Sequence, residues 1–230
     1  MLKSRLCIAF FAFAVGCAPA QKPLTDYVNP MLGTATLWDS VDLGFKPTKR
    51  TWGAEVFPGS SLPNAMVQVS PVTKFHSGAG YQYEDSVIYG FTHTNKGHWN
   101  LCHIPLLPVT GTPTPGDYCS PFSHERESAA PGYYQVFLDR YGVDAQLSST
   151  LRCAFHKYTY PAGAAPAVLA DLQRSNEHVR AWDIRKEGDN VFAGWQQTGE
   201  KMYFYAVANR PVTGIEPLSL IHISEPTRRS

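Results

Sequence analysis

From Ala65 onward, the chain is a succession of short runs rich in β-branched and aromatic residues, separated by Gly, Pro, Asn or Asp. This punctuation is typical of consecutive strands rather than βαβ units. Beyond the N-terminus there is no long apolar repeat of 3.6 residues. We therefore predict an all-β chain that forms a large antiparallel β-sandwich. The runs are "AMVQVS", "YYQVFLD", "AQLSSTLR", "FHKYTYP", "APAVLADL", "VRAWDIR", "NVFAGWQQT" and "MYFYAVAN".

One pair of runs is separated by a clear turn signal. Residues 187–190, "EGDN", lie between "VRAWDIR" and "NVFAGWQQT". Gly, Asp and Asn tolerate the positive φ angles that tight hairpin turns require. We therefore expect an antiparallel hairpin here, with positive φ in its turn.

Size and charge limit the functions open to this chain. With 230 residues, of which 43% are hydrophobic, it can bury a sizeable core. Its 20 Lys and Arg residues nearly balance 19 Asp and Glu, for a formal net charge of +1. That balance offers little electrostatic attraction to phosphate backbones or to an anionic membrane surface. We predict no nucleic-acid partner.

The N-terminus has the layout of a bacterial export signal. Lys3 and Arg5 precede an apolar run from Leu6 to Val15, and small residues follow. The run is too short to span a bilayer permanently. Two processing sites stay open, a lipobox whose Cys17 is lipidated and an A-x-A cleavage site just beyond it. We expect residues 1–20 to be a signal peptide and the protein to be exported to the periplasm or cell surface, with membrane contact only through the possible lipid anchor.

Cysteine usage limits the covalent cross-links. Outside the signal, Cys102, Cys119 and Cys153 remain, an odd number in an exported protein. At most one disulfide can form, and which residues would pair stays open. Cys102 lies in the apolar run "LCHIPLLPV", which predicts a buried, unreactive thiol.

The stretch "GFTHTNKGHWNLC", residues 90–102, gathers polar and aromatic side chains in an otherwise strand-like chain. Zinc binding is disfavoured, because the spacing of His93, His98 and His103 turns neighbouring side chains to different faces of a strand or helix. A tryptophan face beside hydrogen-bonding and cationic groups is the contact set of a sugar, which has a C–H face and a hydroxyl edge. A tryptophan packed on its own domain fits equally well, so both interpretations stay open.

Five longer phrases occur in order along the chain. They are "DYVNPMLGT" (26–34), "FPGSSLPNAMVQVSP" (57–71), "SGAGYQYEDSVIYGFTHT" (77–94), "FSHERESAAPGYYQVFLD" (122–139) and "STLRCAFHKYTYP" (149–161). Together they resemble glycoside hydrolase family 92, the bacterial exo-acting α-mannosidases. The resemblance implies an N-terminal β-sandwich domain, here residues 21–216. In the family an (α/α)6 barrel follows, which this sequence does not reach and which would be the partner of the sandwich.

For a complete protein, the resemblance implies a calcium-dependent exo-α-mannosidase that acts on mannosides or N-glycans with inversion. In such a reaction one carboxylic acid protonates the leaving oxygen and a separate carboxylate activates water. Ca²⁺ would gather sugar hydroxyls through oxygen coordination. The family draws both carboxylates and most calcium ligands from the helical domain. We therefore expect neither catalytic residues nor metal ligands in this chain, and no activity from it alone.

By position, the resemblance assigns two loops to the substrate pocket, "KGHWNLC" and "RTWGAEVFPG". It predicts Trp99 as a stacking platform for mannose-containing glycans. The stretch "THTNKGHWN" departs from the family's commoner "SHTHLSGTG", which leaves the linkage preference open. The other expected contacts are His98, Asn100 and Glu55 as hydrogen-bonding partners, with Lys96 and Trp52 in support.

Other interpretations of the chain stay open. The tail "LSLIHISEPTRRS" follows the last strand-like run with no turn-forming residues between them. It resembles sequencing-adapter read-through, so we expect residues 217–230 to be non-native. A stand-alone carbohydrate-binding module of an exported lipoprotein is the alternative to an enzyme domain. A surface lipoprotein whose aromatic residues all belong to the core is a third.

Overall fold

The computed structural model describes residues 22–36, 44, 55–96 and 101–216, and it confirms the all-β prediction. These residues contain many short strands, two 3-10 helices (Leu24–Tyr27 and His124–Arg126) and no α-helix. Among the described helices, none has the length and apolar character needed to cross a membrane. The strands are β1 (Ser60–Ser61), β2 (Gln68–Val72), β3 (Val87–Ile88), β4 (Gly90–Thr92), β5 (Leu106–Thr110), β6 (Ser120–Pro121), β7 (Glu127–Ala130), β8 (Tyr133–Leu138), β9 (Val143–Ser149), β10 (Ala154–Thr159), β11 (Pro166–Ala170), β12 (Ala181–Gly188), β13 (Val191–Gln197) and β14 (Lys201–Val207).

Antiparallel pairing joins these strands into sheets. A five-stranded sheet has the order β1-β2-β4-β5-β11, and a four-stranded sheet has the order β10-β9-β8-β7. A three-stranded sheet consists of β12, β13 and β14, and β3 pairs with β6. Short strands with close turns predicted antiparallel neighbours, because tight turns cannot join parallel strands. The pairings agree with that prediction.

The five-stranded and four-stranded sheets enclose the main hydrophobic core. β8 alternates buried and half-buried positions, so Tyr134, Val136 and Leu138 all enter the core. From the five-stranded sheet, Phe91 and Leu107 belong to the same buried cluster. Two sheets that face each other across such a core form a β-sandwich. The predicted architecture is confirmed.

The three-stranded sheet packs beside this core. Met202 and Phe204 of β14 contact a smaller buried cluster that includes Ile104 and Leu172. Their neighbour Tyr203 is 72% exposed, because alternate residues of a strand point to opposite faces. One face of this sheet therefore supports the chain near Ile104, and the other carries exposed aromatic side chains.

The hairpin predicted at residues 187–190 is present. β12 ends at Gly188 and β13 begins at Val191, with an irregular register between Lys186 and Gly188. None of residues 188–190 has positive φ, so that part of the prediction was wrong. The extra residue, Glu187, forms a bulge in β12 directly before the two-residue connection, and a bulge alters the local twist with which the strands enter a turn.

Candidate functional site

A buried segment, residues 77–82, contacts both of the loops that the sequence assigns to a sugar pocket. All of its residues, "SGAGYQ", are buried. The main-chain N–H groups of Thr73 and Lys74 donate to the carbonyl oxygen of Gly80 at 2.8 and 3.1 Å. These bonds fold the segment back onto the end of β2. It therefore forms a fixed support, named here the 77–82 segment.

Glu55 contacts the 77–82 segment at Gly78. A Cβ atom added at Gly78 would lie 3.1 Å from Cγ of Glu55, so a larger residue would displace this side chain. Glu55 has a φ of 56°, a left-handed conformation that is uncommon outside glycine. A cavity of about 10 Å³, the size of one water molecule, lies beside Glu55, Gly78 and Gln82.

The loop that contains Lys96 contacts the same segment one residue further along. Nδ2 of Asn95 donates to the carbonyl oxygen of Ala79 at 2.6 Å. At the other end of the loop, Cys102 lies against Gly80, where an added Cβ would be 2.8 Å from the sulfur. The regions around Glu55 and Lys96, far apart in the sequence, therefore meet on one stretch of backbone.

Of the sugar-contacting residues predicted from the sequence, Glu55 and Lys96 lie in the part of the chain that the structure describes. Glu55 is half-buried, and Lys96 is exposed directly after Asn95. Their loops come together, and their contacts with sugar stay predictions. The other predicted residues lie outside the described residues, and these are Trp52, His98, Trp99, Asn100 and the lipidation residue Cys17.

Hydrogen bonds close the Lys96 loop at its base. The Cys102 N–H donates to the Thr94 carbonyl at 2.9 Å, and the His103 N–H donates to Thr94 Oγ1 at 3.1 Å. The His93 N–H donates to the carbonyl of His103 at 2.9 Å. The stretch from Asn95 to Leu101, named here the 95–101 loop, therefore begins and ends at fixed positions.

The end of this loop has left-handed backbone. Leu101, Cys102 and Ile104 have φ angles of 64°, 58° and 56°. Such conformations cost about 1–3 kcal/mol each outside glycine and persist only when the surroundings enforce them. The sequence did not predict them, because no glycine marks these positions.

A buried histidine connects the loop base to the three-stranded sheet. His103, 2% exposed, has Nδ1 2.8 Å from Thr94 Oγ1 and Nε2 3.0 Å from Thr198 Oγ1. The Thr198 hydroxyl donates to the Glu177 carboxylate at 2.6 Å, so Thr198 Oγ1 accepts the proton of His103 Nε2. Burial lowers the pKa of His103, although the Glu177 charge acts in the opposite direction.

A second histidine chain connects the loop base to the four-stranded sheet. His93 Nδ1 lies 2.7 Å from the Ile104 carbonyl oxygen, and its Nε2 lies 3.0 Å from Nε2 of His156. His156 Nδ1 lies 2.6 Å from the Tyr158 hydroxyl. Desolvation lowers the pKa of His93 to about 4. Desolvation, and then the neighbouring His93, hold the pKa of His156 well below its usual value, so both rings are neutral near pH 7.

A buried carboxylate connects the 77–82 segment to the four-stranded sheet. Glu127 accepts hydrogen bonds from the hydroxyls of Tyr81 at 3.0 Å and Tyr134 at 2.5 Å, and it lies 2.5 Å from His124 Nδ1. Burial first, and then the Glu127 charge, raise the pKa of both tyrosines, so both hydroxyls remain donors. His124 begins the 3-10 helix that lies directly before β7.

Two buried oxygens near these loops have no hydrogen-bond partner among the described residues, Gln82 Oε1 and Asn95 Oδ1. A buried acceptor without a donor costs about 1–3 kcal/mol. Gln82 belongs to the 77–82 segment, and Asn95 contacts it. Both oxygens are hydrogen-bond acceptors, and both residues lie at the segment that Glu55 also contacts.

A larger cleft of about 490 Å³ lies beside the start of the 77–82 segment. Lys74, Tyr89 and Arg174 are among its lining residues. The Arg174 guanidinium lies 5.6 Å from the centre of the Tyr89 ring and 5.5 Å from that of Tyr118. The cleft has the volume of a small-molecule site, and its walls carry aromatic, cationic and acidic side chains, the last from Glu84 and Asp85. Sequence reasoning did not find it, since its residues come from separate stretches.

Thiols and metal ligands add no chemistry to the described region. Cys102 is buried, as predicted, and desolvation raises its pKa to about 12, which disfavours the reactive thiolate. Cys102, Cys119 and Cys153 are all free thiols. The described residues include no group of three or more His, Cys, Asp or Glu that could hold a metal ion. Among the described residues, these side chains therefore provide no complete ligand set for calcium or zinc.

A family model, the glycosyl hydrolase family 92 N-terminal domain, matches residues 27–224. The chain therefore belongs to glycoside hydrolase family 92 and corresponds to the N-terminal domain of its members. The resemblance drawn from the five phrases is confirmed.

Solved structures agree with this assignment. The family GH92 α-mannosidase BT3965 from Bacteroides thetaiotaomicron is similar at 27% identity with a TM-score of 0.73, over 84% of this chain and 27% of that chain. Its complex with mannoimidazole gives 28% identity and a TM-score of 0.71, over 84% and 26%. The family GH92 inverting mannosidase BT2199 from B. thetaiotaomicron VPI-5482 is similar in fold at 24% identity and a TM-score of 0.61, over 78% and 24%.

The match covers only part of each of these mannosidases. This chain spans about a quarter of the length of these mannosidases. A search of the curated proteins gives no match.

Proposed function

We propose that this chain is the N-terminal domain of a calcium-dependent, inverting exo-α-mannosidase, and that it contributes loops to a pocket for mannosides or N-glycans. The observation that carries the proposal is the convergence of the Glu55 region and the 95–101 loop on the 77–82 segment. This convergence occurs in a chain whose family includes solved α-mannosidases.

The chemistry of the described groups supports a sugar ligand. A mannose ring has hydroxyl donors at its edge and C–H groups on its faces, so it needs acceptors beside an aromatic surface. Glu55, Gln82 and Asn95 supply acceptors around the 77–82 segment. Trp99 and Trp52 remain the predicted aromatic surfaces.

Catalysis is proposed to depend on residues outside this chain. Inversion requires two carboxyl groups about 6.5–9.5 Å apart, one to protonate the leaving oxygen and one to activate water. We place both in the part of the family proteins beyond the quarter that this chain spans. No calcium ligand is assigned among the described residues, which do not fit such a site. Export through residues 1–20, with possible lipidation at Cys17, belongs to the same proposal.

The first test uses this chain as it stands. We expect no hydrolysis of an aryl α-mannoside by the purified protein, with or without added Ca²⁺. Turnover would place the catalytic carboxylates within these residues and contradict the proposal. Saturable, stoichiometric binding of mannose without turnover would instead favour a stand-alone carbohydrate-binding module.

The second test reads the source DNA beyond the codon for Glu216. A reading frame that continues into helical sequence should encode a protein that hydrolyses the aryl mannoside, loses activity with EDTA and releases β-mannose first. Trp99→Ala and Glu55→Gln in that protein should each lower kcat/KM at least tenfold. Trp182→Ala, on β12, is the matched control and should change it less than twofold. A stop codon directly after the tail would contradict the enzyme assignment.

A further inference from the structure

The cleft of about 490 Å³ is separate from the region assigned to sugar binding. It is lined by residues 73–75, 84–87, 89 and 174, all in the part of the chain that the structure describes. Glu55, Gly78 and Gln82 line the small cavity instead, and the two cavities share no residue. The walls of the cleft therefore indicate its ligand independently of the sugar loops.

One wall of the cleft presents an arginine that is held from behind. The Arg174 guanidinium packs on the rings of Tyr89 and Tyr118, and its Nε lies 3.4 Å from the Asp171 carboxylate. The Tyr118 hydroxyl donates to that carboxylate and fixes it. The Arg174 side chain is still 41% exposed, and no hydrogen bond of the described residues uses its two terminal nitrogens. These nitrogens form an oriented fork of donors, the geometry that matches a carboxylate.

Lys74 adds a second cation to the cleft. Its backbone is fixed, because its N–H donates to the Gly80 carbonyl at 3.1 Å. Its side chain is exposed, and the amino group has no hydrogen bond or ion pair with the residues that the structure describes. Two cations that line one cleft favour a ligand with a negatively charged group.

Two carboxylates line the same cleft. Glu84 accepts from the Thr36 N–H at 2.7 Å and from its hydroxyl at 3.0 Å, and Asp85 accepts from the Thr73 hydroxyl at 2.9 Å. These bonds orient the carboxylates. Each carboxylate can accept about four hydrogen bonds, so it can bind a ligand ammonium group in addition to the partners that hold it.

The presence of both charges decides between classes of ligand. Among the described residues, no ion pair joins Lys74 or Arg174 to Glu84 or Asp85. A simple anion would meet the carboxylates, and a simple cation would meet the two basic side chains. A neutral sugar would remove water from four charged groups and compensate none of them with an opposite charge. A ligand with one carboxylate and one ammonium group can pair with both kinds of wall.

Apolar side chains complete the cleft. Phe75 and Tyr89 are half-buried, and their ring centres lie 6.0 Å apart. Val87, also half-buried, belongs to the same lining. Such a surface suits an apolar or aromatic side chain of the ligand. The volume is that of a small-molecule site, which fits a short peptide better than a folded partner.

We propose that this cleft binds a short zwitterionic peptide. The peptide carboxylate pairs with Arg174 and Lys74, its ammonium group pairs with the two acidic side chains, and its apolar side chain packs on Phe75. The ligand is not a sugar, so this inference goes beyond the proposed function and does not depend on it.

The first experiment is a calorimetric titration of the full chain at pH 7 with the dipeptide glycyl-phenylalanine. This dipeptide carries both charges and an aromatic side chain, and we expect saturable binding at one site. The same dipeptide, acetylated at its amino end and amidated at its carboxyl end, keeps the aromatic ring and loses both charges. It should bind about tenfold more weakly or worse, because two charged contacts are lost. Added mannose should not displace the free dipeptide.

Variants locate the binding in the cleft. Arg174→Gln should weaken binding about tenfold, because a hydrogen bond between charged groups is lost. Arg180→Gln changes an exposed arginine on the same stretch of chain and is the matched control, with an expected change below twofold. Because Arg174 also packs on two tyrosine rings, Lys74→Gln supplies a second measurement at an exposed position. It should weaken binding severalfold and leave the urea midpoint of unfolding unchanged.

Four results would overturn the proposal. The first two are a lack of saturable dipeptide binding and equal binding of the free and blocked dipeptides. The third is binding that both Arg174→Gln and Lys74→Gln leave unchanged. The fourth is displacement of the dipeptide by mannose, which would assign the cleft to a sugar, or by an equal concentration of inorganic phosphate, which would assign it to an anion. None of these results concerns hydrolysis of an aryl mannoside, so a failure here is distinct from a failure of the proposed function.

Discussion

The four-stranded sheet and the base of the 95–101 loop meet at His156, but different interactions stabilise them. In the sheet, alternate residues of β8 and β9 enter the core, and the buried side chains are mainly apolar. At the loop base, buried polar side chains lie beside the small apolar cluster of Ile104, and His103, Asn95 and Gln196 each make specific hydrogen bonds. The difference shows where this fold accepts polar burial and backbone strain, next to the loop assigned to a ligand.

The largest expected effect is in the sheet. Leu147, 1% exposed, lies in the main core, so Leu147→Ala removes apolar contacts and leaves a cavity. We expect the free energy of unfolding to fall by about 2–5 kcal/mol, measured by urea denaturation. Lys157→Ala, at an exposed position of β10, is the control, with an expected change within about 0.5 kcal/mol. Equal losses of unfolding free energy in the two variants would show that burial in the core beneath this sheet does not stabilise the fold.

A smaller loss is expected at the loop base. Gln196, 0% exposed, accepts from the Ile104 N–H at 2.8 Å and donates to the carbonyls of Leu172 and Arg174 at 3.0 and 2.9 Å. Gln196→Ala leaves these groups without that partner, which should cost about 1–3 kcal/mol. Gln197→Ala, at the neighbouring half-buried position, should cost less. If Gln196→Ala lowered the free energy of unfolding as much as Leu147→Ala, the loop base and the sheet would not differ in what stabilises them.

The loop base should also respond to pH, unlike the apolar sheet. In the unfolded chain His93 takes up its proton near pH 6.5, whereas in the folded chain its pKa is about 4. The unfolded state therefore binds more protons between these values, and stability rises with pH there. We expect a contribution of roughly 3 kcal/mol, present above pH 6.5 and lost as the pH falls toward 4. Urea denaturation of the wild type at pH 7 and at pH 4 measures this loss, and equal stability at the two pH values would contradict it.

The smallest effect is expected for polar groups on the surface. Arg185, with a side chain 57% exposed, lies 3.5 Å from the Asp183 carboxylate and 2.6 Å from that of Glu187. Arg185→Ala should change stability by less than about 1 kcal/mol, because water screens these pairs. Added salt should reduce the difference further. A loss above that of Gln196→Ala would show that polar contacts contribute equally whether buried or exposed.

Periodicity predicted the sheets because apolar alternation is a local property. "YYQVFLD" and "NVFAGWQQT" each contain a strand, and the turn between β12 and β13 lies where its residues indicated. The five phrases predicted the family, and the assignment of the Glu55 and Lys96 loops to a sugar pocket stays a prediction. These inferences needed only neighbours in the sequence or an ordered set of phrases.

The backbone conformation and hydrogen-bond partners of the loop base could not be predicted from the sequence in this way. Leu101 and Ile104 have left-handed backbone although their residue types disfavour it, so tertiary contacts decide their conformation. The partners of His93 and His103 come from β10 and from the end of β13, which the sequence could not pair in space. Gln82 and Asn95 gave no signal either, because isolated polar residues usually lie on the surface.

Glu127 has a mechanical consequence for the candidate pocket. It ties Tyr81, within the 77–82 segment, to Tyr134 in the opposite layer of the sandwich. The Glu55 region and the base of the 95–101 loop both contact that segment. A displacement of the segment would therefore move both contacts together, and the Glu127 hydrogen bonds oppose such a displacement from the far side of the core.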